Sequence, residues 1–285
     1  IRQIVRRPVR AGLTALGISF AVGLVVMAHA MFSSIAFVMD TVFFRIERQD
    51  ATLVFSSARP EGATLAVRRL PGVLAAEPYH ALPARISSGH VSRQVSITGM
   101  PPAPDLNRTL DQDFRRIALP ETGLALGEPV ARLLGVGVSD IVHVDFLTDT
   151  RHSVDVPVTQ VVQSFLGLAA FADIDVLDRL AGTGPRVSGA HVAIDPNQID
   201  ALYAAVKETP EIAAVALQSI SRERFQATME ENMSLMLGVF LTLSIIIAFG
   251  IVYNSARIQL SERARELATL RVLGFSRGEV SGVLF

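Results

Sequence analysis

The chain has 285 residues, half of them hydrophobic, with a net charge of −1 and a mean hydropathy of +0.40. Near-neutral charge gives no bulk electrostatic case for nucleic acid, and the lack of cysteine excludes a disulfide framework, a thiolate metal site and a cysteine nucleophile. The apolar content exceeds that of an ordinary soluble domain, and the excess sits in two uncharged blocks, 11–39 and 233–253.

A bilayer core of about 30 Å takes about 20 apolar helical residues. The first block is longer, so its helix extends some 10 Å past the hydrocarbon, and it outruns the apolar core of a signal peptide. Arg2, Arg6, Arg7 and Arg10 precede it, and Arg257, Arg263, Arg265, Arg271 and Arg277 follow the second block. Arginine near a span marks the cytoplasmic side, which predicts both ends inside and residues 40–232 outside. Ala11, Ala15, Ser19 and Gly23 recur every four residues, a spacing that lets another helix approach closely. His29 falls about 28 Å along the helix from Arg10, which predicts an interfacial residue and no proton relay.

The middle segment alternates strand and helix signals. A strand is expected at 51–56, a helix at 61–70 stopped by Pro71-Gly72, and strands at 74–79, 84–88 and 91–98 with a turn at Ser88-Gly89. Pro101, Pro102 and Pro104 read as a linker. A short helix at 124–135 and a hairpin of 141–146 with 153–162 follow. A weak repeat then shows: strand, helix and strand over 53–79 return over 189–218. The pattern predicts a split β-α-β sheet with helices on one face and a small β-rich lobe inserted between its halves. Residues 222–232 are polar and helix-prone, and run without a breaker into the second span as a stalk.

Several catalytic sites are ruled out. Lys207, the only lysine, follows Val206 on a helix, so no P-loop exists. ATP-driven work therefore falls to a partner or to sequence outside this chain. Gly274-Phe275-Ser276-Arg277-Gly278 matches G-x-S-x-G, yet a helix precedes it and no histidine follows. With Glu279, Ser276 makes a helix-starting capping box instead. His80, His90, His143, His152 and His191 lack metal-ligand spacing. No catalytic, cofactor or metal site is assigned.

On 257–273, Leu260, Ala264, Leu267 and Leu270 share one helical face, and Glu262, Arg263, Arg265, Glu266 and Arg271 lie elsewhere. A solvated juxtamembrane face, or one resting on anionic lipid, fits this pattern by itself. Gly274 stops the helix, and Val280, Val283, Leu284 and Phe285 open what reads as a third span. The chain starts at Ile1 and ends in mid-pattern, so it is expected to be a piece of a longer polypeptide.

The run from Ser261 to Phe275, SERARELATLRVLGF, resembles the hallmark segment of FtsX-like permeases: E-R-x-R-E, a basic residue, an apolar pair and glycine. Arg7-Pro8-Val9-Arg10 leading into Leu13-Thr14-Ala15-Leu16-Gly17-Ile18 is similar to that family's basic elbow and first membrane helix. Gly127 to Val136, followed by Ser139-Asp140 and a strand, resembles a MacB-like periplasmic core, with Ser139 where glycine is usual.

The resemblance implies a permease subunit of an ABC transporter in the bacterial inner membrane, multi-pass with a four-helix core, with no enzyme activity of its own. A cytoplasmic ATP-binding cassette ATPase would dock on Glu262, Arg263, Arg265, Glu266 and Arg271. Further implied partners are a second permease copy or half, the lipid bilayer and a periplasmic adaptor. Mechanotransmission along the stalk would serve export or extrusion of a lipid, lipoprotein or amphiphilic compound. The alternative is a transmembrane signalling regulator of a periplasmic partner such as a cell-wall hydrolase. The expected organisation is α-helical membrane segments plus an α+β extracytoplasmic domain. Residues 1–40 hold the elbow and first span, 41–221 the extracytoplasmic domain, and 222–254 the stalk and second span. Residues 255–275 form the coupling segment and 276–285 a truncated third span.

Overall fold

The computed structural model describes residues 8–111, 113–148, 152–165 and 167–272, with side chains except at 8–11, 13, 14, 255 and 258–272. The chain divides into two compact units, residues 36–226 and the described parts of 1–35 and 227–285.

Two long helices build the smaller unit. Helix α1 runs Pro8–Asp40 and helix α6 runs Gln218–Val272. Both are apolar enough to cross a membrane, with large side chains such as Leu16, Phe20, Ile245 and Phe249 turned outward. An outward apolar surface of this kind suits lipid or further helices better than water. The covered positions on α1 are Gly17, Ala21, Leu24 and Ala28, and on α6 Phe240, Ser244, Ile247 and Ile251. Each set keeps one helical face. At Gly17 an added Cβ would lie 2.7 Å from Ile251 Cδ1, so the two helices are in contact there.

The larger unit takes in the last residues of α1 and then a π-helical turn, Thr41–Ile46. Strand β1 (Ala51–Pro60), helix α2 (Ala63–Val67) and strand β2 (Val73–Ser88) make the first strand–helix–strand unit. Strand β10 (Arg186–Ile194), helix α5 (Ile199–Lys207) and strand β11 (Ile212–Leu217) make the second. They interleave as an antiparallel sheet in the order β11-β1-β10-β2. Leu53, Phe55, Val67, Val192 and Leu202 form the core beneath α2 and α5. This is the split β-α-β sheet expected from the repeat.

The inserted lobe is a closed barrel. Strands β3 (Val91–Met100), β6 (Leu124–Gly127), β7 (Ile141–Phe146), β8 (His152–Val162) and β9 (Ala169–Asp173) join the second half of β2 in the ring β2-β3-β9-β6-β8-β7. Ala84–Ser87 of β2 pair with Phe146–His143 of β7 and close it. Closure removes the free edges that a six-stranded sheet would expose. Ile86, Ile97, Leu126, Val142, Phe146 and Val158 fill the interior. Helices α3 (Glu128–Leu134) and α4 (Ile174–Ala181) pack on it. A small hairpin of β4 (Thr109–Leu110) and β5 (Arg116–Ile117) stands apart from the ring.

Three local expectations change. The helix at 61–70 is a short one, Ala63–Val67, continued by turns. The strands at 74–79 and 84–88 are one strand of 16 residues. The helix at 124–135 is a strand followed by a helix: 124–127 are fully buried between β8 and β9, and Pro129 starts the helix in its first turn.

Candidate functional site: the joint at the base of the domain

No group of three His, Asp or Glu that could hold a metal occurs among the described residues. The organised feature of the larger unit is the place where its two ends of chain meet.

The π-helical turn buries Thr41, Val42 and Phe43. Residues 46–49 then bond to 106–108: the Arg108 amide donates to Ile46 O at 2.9 Å, and the Arg48 and Gln49 amides donate to Leu106 O at 2.8 and 3.0 Å. Residues 106–108, just after the prolines 101, 102 and 104 expected as a linker, are thus tied to the entry of β1.

The exit is fixed to the entry. The Gln218 amide donates to Asp50 O at 2.8 Å, and the Gln218 side chain donates to the Glu47 carboxylate. Asp50 Oδ2 accepts from the Ile194 amide at 2.8 Å, which adds β10. Phe43 and Phe225 have ring centroids 6.0 Å apart, and the Arg222 guanidinium lies 5.3 Å from the Phe44 ring centre. Aromatic and cation–π contacts of this geometry contribute about 0.5–1.5 kcal/mol each. A cleft of about 410 Å³ remains between Phe43, Phe44, Arg48, Ile194 and Leu217. These ties hold Gln218 and residues 46–50 to one another and to β10.

A second polar group lies on the sheet face away from α2 and α5. Tyr79 stacks on His191 at 4.8 Å, and Gly189 makes room, since a Cβ there would lie 2.7 Å from the Tyr79 hydroxyl. His191 Nε2 accepts from Asn107 Nδ2 at 3.4 Å, so Nδ1 donates to Thr52 Oγ1 at 3.1 Å. Burial lowers the His191 pKa to about 4 and raises that of Tyr79. His191 is therefore a neutral structural residue.

The sequence-derived residues fall as follows. Glu262, Arg263, Arg265, Glu266 and Arg271 lie on the uninterrupted helix α6, with their side chains outside the described set. Ser276, Glu279 and the start of a third span lie outside the described residues. Ala15, Ser19 and Gly23 are exposed, and nothing lies within 4 Å of a Cβ at Gly23. Contact inside the unit uses the neighbouring face containing Gly17. Sequence reading missed Glu47, Gln218, Arg222 and the Phe43, Phe44 and Phe225 rings. The one available signal was the aromatic pair just beyond an uncharged block.

Residues 238–285 match the family model for the FtsX-like permease C-terminal region, so the resemblance carried by Ser261–Phe275 holds. Among solved structures, the chain is similar to the extracellular domain of the ABC-type transporter YknZ from Gram-positive bacteria. Identity is 13% and the TM-score 0.43, over 59% of this chain and 99% of that one. It is also similar to the periplasmic region of MacB from Actinobacillus actinomycetemcomitans, at 11% identity and a TM-score of 0.42, over 63% of this chain and 94% of that one. No curated protein matches the chain.

Proposed function

We propose that this chain is a permease subunit of an ABC-type transporter, driven by a cytoplasmic ATPase that docks on the segment 255–275. One observation carries the reading. Helix α6 runs without a break from Gln218, in the joint, to Val272, inside the stretch that matches the FtsX-like permease family. A continuous helix keeps its axial length because every turn is hydrogen-bonded to the next. Movement imposed near Glu262 and Glu266 therefore reaches Gln218, and the joint delivers it to the sheet. The work performed is mechanical, for export or extrusion of a lipid, lipoprotein or amphiphilic compound. The chain sits in the bacterial inner membrane with residues 41–221 outside, and acts beside a second permease copy or half.

The test is charge reversal at the docking segment. Glu262→Arg with Glu266→Arg should abolish co-purification of the cognate ATPase and substrate-stimulated ATP hydrolysis in nanodiscs, with the chain still inserted. Removing one partner of a buried charged contact costs about 2–5 kcal/mol. Unaltered co-purification and turnover in the double variant would overturn the docking assignment.

A further inference from the structure

Strand β1 runs past its neighbour β11. Their pairing ends at Phe55 opposite Ile212, with one further bond from the Ser56 amide to Glu211 O at 2.9 Å. Beyond that point β10 is the only strand partner of β1 among the described residues, with Arg59 opposite Val187 and Pro60 opposite Arg186. A cleft of about 410 Å³ opens there, between the end of β1, helix α2 and the turn at 209–212.

Its lining is mainly apolar. Phe55 and Val67 are buried core residues, Leu70 and Ile212 pack against the same core, and Ala63 and Ala66 give α2 a slim side toward the opening. Small-molecule sites have this character, with volumes of about 300–1,000 Å³, apolar walls and few polar groups. The Thr209 hydroxyl is committed to Ala205 O at 2.8 Å. Beyond Arg59 the lining side chains therefore offer no free donor, so the body of a ligand that fits here is apolar.

Two charged residues line the cleft, Arg59 and Glu211. Arg59 is half-buried, and its Nε–H is shielded from solvent without an acceptor. Its side chain makes no hydrogen bond or ion pair among the described residues. A shielded donor on a charged group is costly while it lacks a partner. Guanidinium also presents its donors as a fork that matches two oxygens of one anion. Glu211 is exposed and forms no ion pair with Arg59 among the described residues, so solvent screens its charge.

We propose that this cleft binds a single-chain amphiphile, its oxyanion head on the Arg59 guanidinium and its apolar chain along Phe55, Val67, Leu70 and Ile212. Carboxylate and phosphate heads both present the paired oxygens that the fork takes. A neutral head leaves the fork unmet, and a cationic one is repelled. The site stands on residues of the larger unit alone; reading its occupant as cargo rests on the export function proposed above.

The chain has no tryptophan, so Pro60→Trp, at an exposed position lining the cleft, gives the full chain in nanodiscs a single reporter. Octanoate and octyl phosphate should change its emission saturably, and the tighter of the two names the head group. Adding Arg59→Gln should weaken that ligand about tenfold or more, as loss of a charged hydrogen bond does, with the melting midpoint kept. Should the midpoint fall, Arg59→Lys, which keeps the charge without the fork, carries the test with an intermediate loss. Glu211→Gln should tighten binding. Octanol should act alike with and without Arg59→Gln, which also subtracts partition into the disc. Undiminished octanoate and octyl phosphate binding in the Arg59→Gln chain, or emission unchanged by either, would overturn the site. The export reading is decided separately by ATPase co-purification with Glu262→Arg and Glu266→Arg: loss of octanoate binding removes the cleft and leaves that reading, and binding without a docked ATPase does the reverse.

Discussion

His80 Nδ1 lies 2.6 Å from Asp178 Oδ1, with both side chains buried, at the point where β2 leaves the open sheet and enters the barrel. His80 is the first β2 residue paired with β3, opposite Gly99. Asp178 stands on α4, and its other oxygen accepts the Arg186 amide at 3.1 Å, at the start of β10. One carboxylate therefore holds together the return strand of the sheet, the strand shared with the barrel, and a barrel helix.

Asp178→Ala would leave a buried imidazole donor and a backbone amide without their acceptor, a loss of about 3–5 kcal/mol. For a domain of this size the unfolding midpoint should fall by about 10 °C. Asp178→Asn keeps an acceptor and should lose less. Circular dichroism melts of the detergent-solubilised chain measure both. An unchanged midpoint in the alanine variant would show that the seam is held elsewhere.

His191 sets an acid limit. Its folded pKa of about 4 is below the usual 6.5, so between these values the unfolded chain binds a proton that the folded chain refuses. Stability is full above about pH 6.5 and falls with acidity toward pH 4, by on the order of 3 kcal/mol. His191→Gln removes this slope, so the stability difference from the parent chain should shrink as pH drops. His143 works in the opposite sense. Its hydrogen bond to Asp155, with Asp145 nearby, raises its pKa, and its contribution is present at low pH and lost as pH rises through the raised value. Because it is at the surface, where solvent screens it, denaturant titrations from pH 4 to 8 should follow His191.

Gly17 and Ile251 predict a cross-link. A Cβ at Gly17 would lie 2.7 Å from Ile251 Cδ1, a terminal methyl that can rotate away, so Gly17→Ala should be tolerated. Gly17→Cys with Ile251→Cys should cross-link rapidly under mild oxidation, and the chain has no other cysteine to compete. Ser19→Cys with Ile251→Cys should not, because Ser19 is on an exposed face. A faster link from Ser19 would place the contact on the stripe Ala11, Ala15, Ser19 and Gly23 instead.

The open sheet was legible because its signals are local: each strand–helix–strand unit has its own turn residues, Pro71-Gly72 and Pro210-Glu211. The barrel was only half legible. The β7–β8 hairpin joins neighbours in sequence, but β3–β9 and β6–β8 are parallel pairs between distant segments, and short-range patterning carries no register for those. The strands expected separately at 74–79 and 84–88 are one strand, β2, which runs through Pro78 and Pro83. Pro78 lies where β10 is the strand's one partner, and Pro83 keeps its carbonyl engaged by the Leu147 amide at 2.9 Å, so each is accommodated as proline is at an edge. The joint was illegible because Glu47 and Gln218 are 171 residues apart, and neither belongs to a motif.

That pair carries the last prediction. Glu47 and Gln218 tie the entry of β1 to the start of α6, with Phe43 against Phe225 and Arg222 over Phe44 reinforcing the tie. If α6 drives the domain through this joint, weakening the tie should uncouple motion without unfolding either sheet or barrel. Removing a charged hydrogen bond of this kind costs about 1.5–3 kcal/mol. Glu47→Ala with Gln218→Ala should therefore leave ATPase co-purification and basal hydrolysis intact while lowering substrate stimulation several-fold. Each single variant should produce most of the effect of the double, because the two residues act on one bond. Adding Arg222→Ala removes an independent contact and should deepen the loss. The measurement is ATP hydrolysis in nanodiscs with and without substrate, beside a melt of the outer domain. Full stimulation in the triple variant would mean that force enters the domain by another route, and the joint would then be an anchor and not a coupling element.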